Sequence, residues 1–141
     1  MAIQQSDVKY TAVATAENGR DGKVTGTSGN LDVVVNPPKA MGGNGAGTNP
    51  EELFAAGYSA CFQGALGVVA RNEKVDITGS TVTAEVGIGQ NDEGFGIIVA
   101  IKASIPTVDA AKAQELIEKA HQVCPYSKAT RGNIEVSLAV A

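Results

Sequence analysis

A chain of 141 residues has room for one hydrophobic core and little room for a second. Three phenylalanines, three tyrosines and no tryptophan, set against seventeen glycines, point to elements that approach closely through small side chains. Eleven basic and fifteen acidic side chains leave a net charge of −4, and without a basic block to neutralise phosphates nucleic acid is excluded as the expected partner.

The opening MAIQQSDVKY has neither a basic start nor a long apolar stretch, and later apolar runs are interrupted by Gly or charge, so the expectation is a cytoplasmic protein without a membrane span. Ordinary thiols stay reduced in that compartment, so two cysteines are not read as a permanent staple. YTAVATA alternates apolar and polar residues, and after the turn-forming NGRDG the segments KVTGTS and LDVVVN continue a strand pattern. From Pro37 to Pro50 the Gly- and Pro-rich PPKAMGGNGAGTNP cannot hold a regular element. Thr48 and Asn49 follow its glycines where a phosphate-binding P-loop requires Lys and then Ser or Thr, which argues against a nucleotide site.

A helix is predicted to begin at Asn49, with Pro50 in the first position and Glu51 and Glu52 at the positive end of its dipole. Phe54, Tyr58, Cys61, Ala65 and Val68 share one face, and the Ala- and Gly-rich remainder predicts burial almost all round. DITGSTVTAEVGIG and GFGIIVAIKASI form a hairpin across QNDEG. A half-exposed second helix starts at Thr107 or Asp109 and is stopped by Pro125, and NIEVSLAVA closes the chain as a strand. The sum is a single α+β domain over residues 1–141, mostly antiparallel sheet with a buried central helix and a second helix.

Cys61 taken alone reads as a small hydrophobe on a buried helix. Cys124 precedes Pro125 at a helix end, where the chain turns and a thiol can become accessible. His121 and Cys124 stand at a chelating interval, but one histidine and two distant cysteines make no closed metal set, and no metal is expected. A separation of 63 residues excludes a CxxC oxidoreductase. What remains is a peroxide-type cycle, in which one thiolate attacks an O–O bond and the resulting sulfenic acid condenses with a second thiol. Cys61 lies beyond the helical turn whose dipole lowers a thiol pKa, so a cation must come from elsewhere. Arg71 reads as a solvated helix end; Arg20 and Arg131 sit in turns and either could serve. His121 reads as an ordinary helix-end side chain where positive charge is tolerated.

The stretches NGRDGKV, GTNPEELFAAGYSACF, EGFG and HQVCPYSKATRGNI resemble the organic hydroperoxide resistance proteins of the OsmC-like group, over nearly the whole chain. The resemblance implies an intertwined homodimer and a thiol peroxidase acting on alkyl and fatty-acid hydroperoxides. In it Cys61 is peroxidatic, Cys124 resolving through a Cys61–Cys124 disulfide, Arg20 the catalytic arginine and Glu51 the carboxylate that holds it. It also implies re-reduction by a dihydrolipoyl dithiol on a partner protein, with no bound cofactor. Phe54, Tyr58 and Phe95 of the EGFG turn are expected to line an apolar substrate pocket. The alternative class is a non-enzymatic thiol redox sensor or peroxide-responsive binding protein; weaker still is an apolar-ligand carrier with dispensable cysteines.

Overall fold

Short alternating runs in the first third of the chain become three strands, β1 (Ala14–Glu17), β2 (Gly22–Gly26) and β3 (Asp32–Val35), paired antiparallel in that order. The computed structural model describes residues 7–141, so the first six residues of MAIQQSDVKY lie outside the described residues. Asn18 and Gly19 take φ of 60° and 57°, the left-handed conformation that these two residue types tolerate best, and the β1–β2 turn they make carries Arg20. The following Gly-rich segment is ordered around a single 3₁₀ turn, Lys39–Met41. A Cβ at Gly43 would lie 2.0 Å from the Pro37 carbonyl oxygen, so the chain can fold back here only with glycine.

The chain divides after Pro50 into two compact units. The second begins with α1 (Pro50–Glu73), whose Glu51 and Glu52 occupy the first turn as the sequence predicts. By length and composition α1 could cross a membrane, but Tyr58, Phe62, Ala65, Leu66, Val69 and Ala70 are buried in the core of the unit. It is the central buried helix expected, though not buried all round: Ala56, Ala60, Gly64 and Val68 form an exposed stripe on the single chain.

Eleven-residue strands β4 (Thr81–Asn91) and β5 (Gly94–Ser104) make the predicted hairpin, and β6 (Val136–Val140) pairs with β5. That last pair is parallel, because the chain between them runs through two helices and returns to the same end of the sheet. The first of these is α2 (Ala110–Val123), capped by Asp109, whose carboxylate accepts from the Lys112 amide at 2.8 Å. The second, α3 (Pro125–Thr130), was not expected: Pro125 ends α2 and also begins a new turn of helix. Val99, Ile101 and Ala103 of β5 meet Leu66 of α1 and Leu116 and Ile117 of α2 in one core cluster. Each fully buried aliphatic or aromatic side chain there contributes about 1.5–3 kcal/mol. Glu73 at the end of α1 pairs with Lys112 at 3.0 Å and Lys119 at 2.7 Å, half-exposed contacts at the surface that add little to stability.

Candidate active site

The break between α2 and α3 falls on Cys124, the C-cap of one helix and the N-cap of the other, with extended backbone at φ −63° and ψ 123°. This turns its side chain back across the start of α3, where the sulfur accepts a hydrogen bond from the Ser127 amide at 3.5 Å. Cys124 is completely buried; Cys61, midway along α1, is partly exposed. Both are free thiols, and their sulfurs are 3.7 Å apart. Disulfide bonding requires about 2.05 Å, so closure needs less than 2 Å of sulfur movement.

Burial pushes the Cys61 thiol above its ordinary value, and the adjoining Cys124 sulfur pushes it further; the Tyr126 backbone N–H, aimed at the same sulfur, opposes them. Ionising Cys61 near neutral pH therefore calls for a positive group beyond those two helices. Arg131 Nη1 donates to the His121 carbonyl and ties the end of α3 to the end of α2, and its charge acts on His121 and is not among the influences on Cys61. Arg20 stands in the exposed β1–β2 turn of the first unit, and Glu51 is half-buried in the first turn of α1. Glu51 precedes Cys61 by ten residues of unbroken helix, which sets their Cα atoms about 15 Å apart.

Phe54 packs edge-on against Tyr58 at 6.0 Å and Tyr126 at 5.8 Å between ring centres, beside the thiol pair. Tyr58, expected to line a pocket, has 0% exposure: its ring is in the core and its hydroxyl bonds Ser127 Oγ at 2.8 Å and Thr130 Oγ1 at 3.0 Å. Phe95 is at the tip of the β4–β5 hairpin and is 71% exposed. Tyr126, which sequence reasoning did not single out, brings both an amide to Cys61 and a ring to Phe54; its place in the motif HQVCPYSKATRGNI was the available signal. His121 is not an ordinary helix-end side chain either. Burial first, and then the positive charge of Arg131, hold it below the ordinary histidine value, and its Nδ1 is 2.7 Å from Ser127 Oγ. Among the described residues no three His, Cys, Asp or Glu side chains group to hold a metal.

Fold and site together define an α+β protein with a paired-thiol centre, one sulfur partly open and one sealed. The chain belongs to the OsmC-like family, whose model matches residues 42–139. An organic hydroperoxide resistance protein from Xanthomonas axonopodis pv. citri is 51% identical over 136 residues, covering 95% of this chain and 96% of its own. OhrB of Bacillus subtilis, also named an organic hydroperoxide resistance protein, is 46% identical over 92% of this chain and 96% of its own. Among solved structures, an organic hydroperoxide resistance protein from Elizabethkingia anophelis superposes with a TM-score of 0.90 at 55% identity, covering 96% of this chain and 98% of that one.

Proposed function

We propose that this chain reduces organic hydroperoxides to alcohols with its two cysteines. The Cys61 thiolate attacks the O–O bond, giving a Cys61 sulfenic acid and an alkoxide that takes up a proton and leaves as the alcohol. The Cys124 thiol then condenses with the sulfenic acid, releasing water and forming the Cys61–Cys124 disulfide. A dihydrolipoyl dithiol on a partner protein reduces that disulfide by exchange and becomes a cyclic disulfide itself. The whole chain acts as one OsmC-like domain, in the cytoplasm, as a homodimer.

The observation that carries this reading is the 3.7 Å contact between a partly exposed thiol and a buried one, 63 residues apart in sequence. The peroxide meets Cys61, while Cys124 is kept from solvent oxidants until the sulfenic acid forms beside it. Arg20 supplies the positive charge that Cys61 lacks, and Glu51 holds the guanidinium through paired hydrogen bonds; both assignments rest on the motif resemblance. Phe54 and Tyr126 provide apolar surface for the tail of the peroxide, Tyr58 supports them from beneath, and Phe95 of the EGFG turn adds to the apolar lining. The names of the high-identity relatives support hydroperoxides as the substrate class.

The deciding experiment compares two single substitutions under non-reducing conditions. Cys61→Ser loses hydroperoxide consumption; Cys124→Ser consumes at most about one equivalent and then overoxidises at Cys61. Sustained, equal turnover by both variants would end the two-cysteine reading.

A further inference from the structure

Beneath the thiol pair lies a set of polar side chains to which the proposed cycle assigns no task. His121 Nδ1 is 2.7 Å from Ser127 Oγ, Ser127 Oγ is 2.8 Å from Tyr58 Oη, and Tyr58 Oη is 3.0 Å from Thr130 Oγ1. The Thr130 hydroxyl in turn donates to the Ser127 carbonyl at 3.2 Å. Tyr58, Ser127 and Thr130 are all buried, so the set must satisfy itself, and among the described residues no buried side-chain nitrogen or oxygen lacks a partner.

Four contacts need four hydrogens. The Ser, Tyr and Thr hydroxyls bring one each, and the fourth has to come from the imidazole. A neutral imidazole has a single N–H, on either nitrogen. If the proton were on Nε2, three hydrogens would serve four contacts and the Thr130 bond to the Ser127 carbonyl, which also accepts from the Arg131 amide at 2.7 Å, would be lost. With the proton on Nδ1 the chain runs one way without a gap: His121 Nδ1–H to Ser127 Oγ, Ser127 O–H to Tyr58 Oη, Tyr58 O–H to Thr130 Oγ1, Thr130 O–H to the Ser127 carbonyl.

We infer that His121 carries its proton on Nδ1 and that this N–H starts a directional hydrogen-bond chain which positions Cys124 for disulfide closure. The chain ends on the backbone of Ser127, the same residue whose amide donates to the Cys124 sulfur. Arg131 holds the His121 carbonyl from the other side. The end of α2 and the start of α3 are thereby tied together around Cys124. His121 is a positioning residue, acting through Ser127. The inference deepens the proposed two-cysteine cycle and rests on it for its functional half: the step affected is Cys61–SOH plus Cys124–SH giving the disulfide and water.

The test has two arms. Long-range proton–nitrogen correlation spectra of the reduced, nitrogen-15-labelled protein read the tautomer directly and need no variant; Nδ1 is expected to give the protonated, pyrrole-type signal and Nε2 the unprotonated one. In the second arm, closure of the Cys61–Cys124 disulfide is timed against Cys61 oxidation after one equivalent of cumene hydroperoxide, and in parallel after diamide. His121→Ala and Ser127→Ala should slow closure about tenfold or more, as a small misplacement of a reacting group does. His121→Asn, whose amide nitrogen sits where Nδ1 does and donates likewise, should restore most of the rate, and His121→Gln should not. An Nε2-protonated imidazole, wild-type closure in His121→Ala and Ser127→Ala, or equal slowing in His121→Asn and His121→Ala would each overturn the inference. Inertness to hydroperoxide with the same pattern under diamide would sink the peroxidase reading and leave the positioning role standing.

Discussion

Tyr58→Phe separates a structural hydroxyl from a substrate-lining one, because it removes a single oxygen and keeps the ring. The Tyr58 side chain has no exposed surface, and its hydroxyl sits between Ser127 Oγ at 2.8 Å and Thr130 Oγ1 at 3.0 Å. Thr130 still donates to the Ser127 carbonyl after the change, but the Ser127 hydroxyl loses the acceptor it faces and water cannot enter to replace it. One unmet buried donor plus the lost net value of the bonds comes to about 1–3 kcal/mol. In a chain of 141 residues that corresponds to a fall in Tm of roughly 3–10 °C. Urea unfolding of the reduced protein measures it, with an unchanged m-value showing that the unfolded state is the same. Ser59→Ala serves as the reference, since its hydroxyl makes only an exposed bond to the Ala56 carbonyl, and should stay within about 0.5 kcal/mol of wild type. A Tyr58→Phe loss no larger than that of Ser59→Ala, accompanied by a raised KM for hydroperoxide, would refute the structural assignment and return Tyr58 to the pocket.

Arg20→Ala should raise the Cys61 pKa further with little change in Tm, since a turn arginine adds little to stability; thiolate absorbance against pH reads it, and an unmoved titration removes Arg20 from the site. His121 sits below its ordinary value of 6.5 in the folded chain, so the unfolded chain binds the extra proton first. Stability should therefore fall as pH drops below 6.5 toward the folded value, before the surface carboxylates Glu73, Glu115 and Asp76 contribute their own loss near and below 4.5. Urea midpoints at about pH 7.5 and about pH 5.5 should differ less in His121→Asn than in wild type, and equal differences would contradict the burial of His121 as the cause. Finally, Arg20→Ala and Cys61→Ser chains refolded together should recover about a quarter of wild-type peroxidase activity if each site of the dimer combines the two subunits; inactivity despite subunit exchange would confine the site to one chain.

The start of α1 was legible because Asn-Pro-Glu-Glu combines a cap residue, a fixed φ and two charges suited to the helix dipole, all of them local effects. The β4–β5 hairpin was legible for the same reason. The parallel placement of β6 was not, since pairing with β5 depends on where two intervening helices return the chain. Pro125 misled in one respect: it stops a helix from one side and starts one from the other, and only the backbone of Cys124 decides that both happen. Tyr58 shows the limit of reading a site from apolar neighbours. Its hydroxyl partners are 69 and 72 residues away, so nothing local distinguishes a core tyrosine from a pocket tyrosine. His121 was read as an ordinary helix-end side chain for a similar reason, its partner Ser127 lying beyond the helix break.

The distance in sequence between the two cysteines is closed by two small departures from regular structure. The break at Cys124 lets α3 restart in a new direction, so that the Ser127 amide faces the Cys124 sulfur and the Tyr126 amide faces that of Cys61. The second departure is a missing side chain. A Cβ at Gly57, one helical turn before Cys61, would sit 2.6 Å from the Tyr126 hydroxyl and 3.1 Å from its ring, so glycine at this position lets the ring lie against α1. The ring and the amide belong to one residue and act at two places: the ring against Gly57, the amide at Cys61. A side chain at Gly57 would meet the far end of the Tyr126 ring, which can swing about its own side-chain bonds while the backbone amide keeps its hydrogen bond to Cys61. Tyr126 thus serves packing through its ring and thiol reactivity through its amide, and a helix with glycine opposite that ring lets α3 approach closely enough for the two sulfurs to meet.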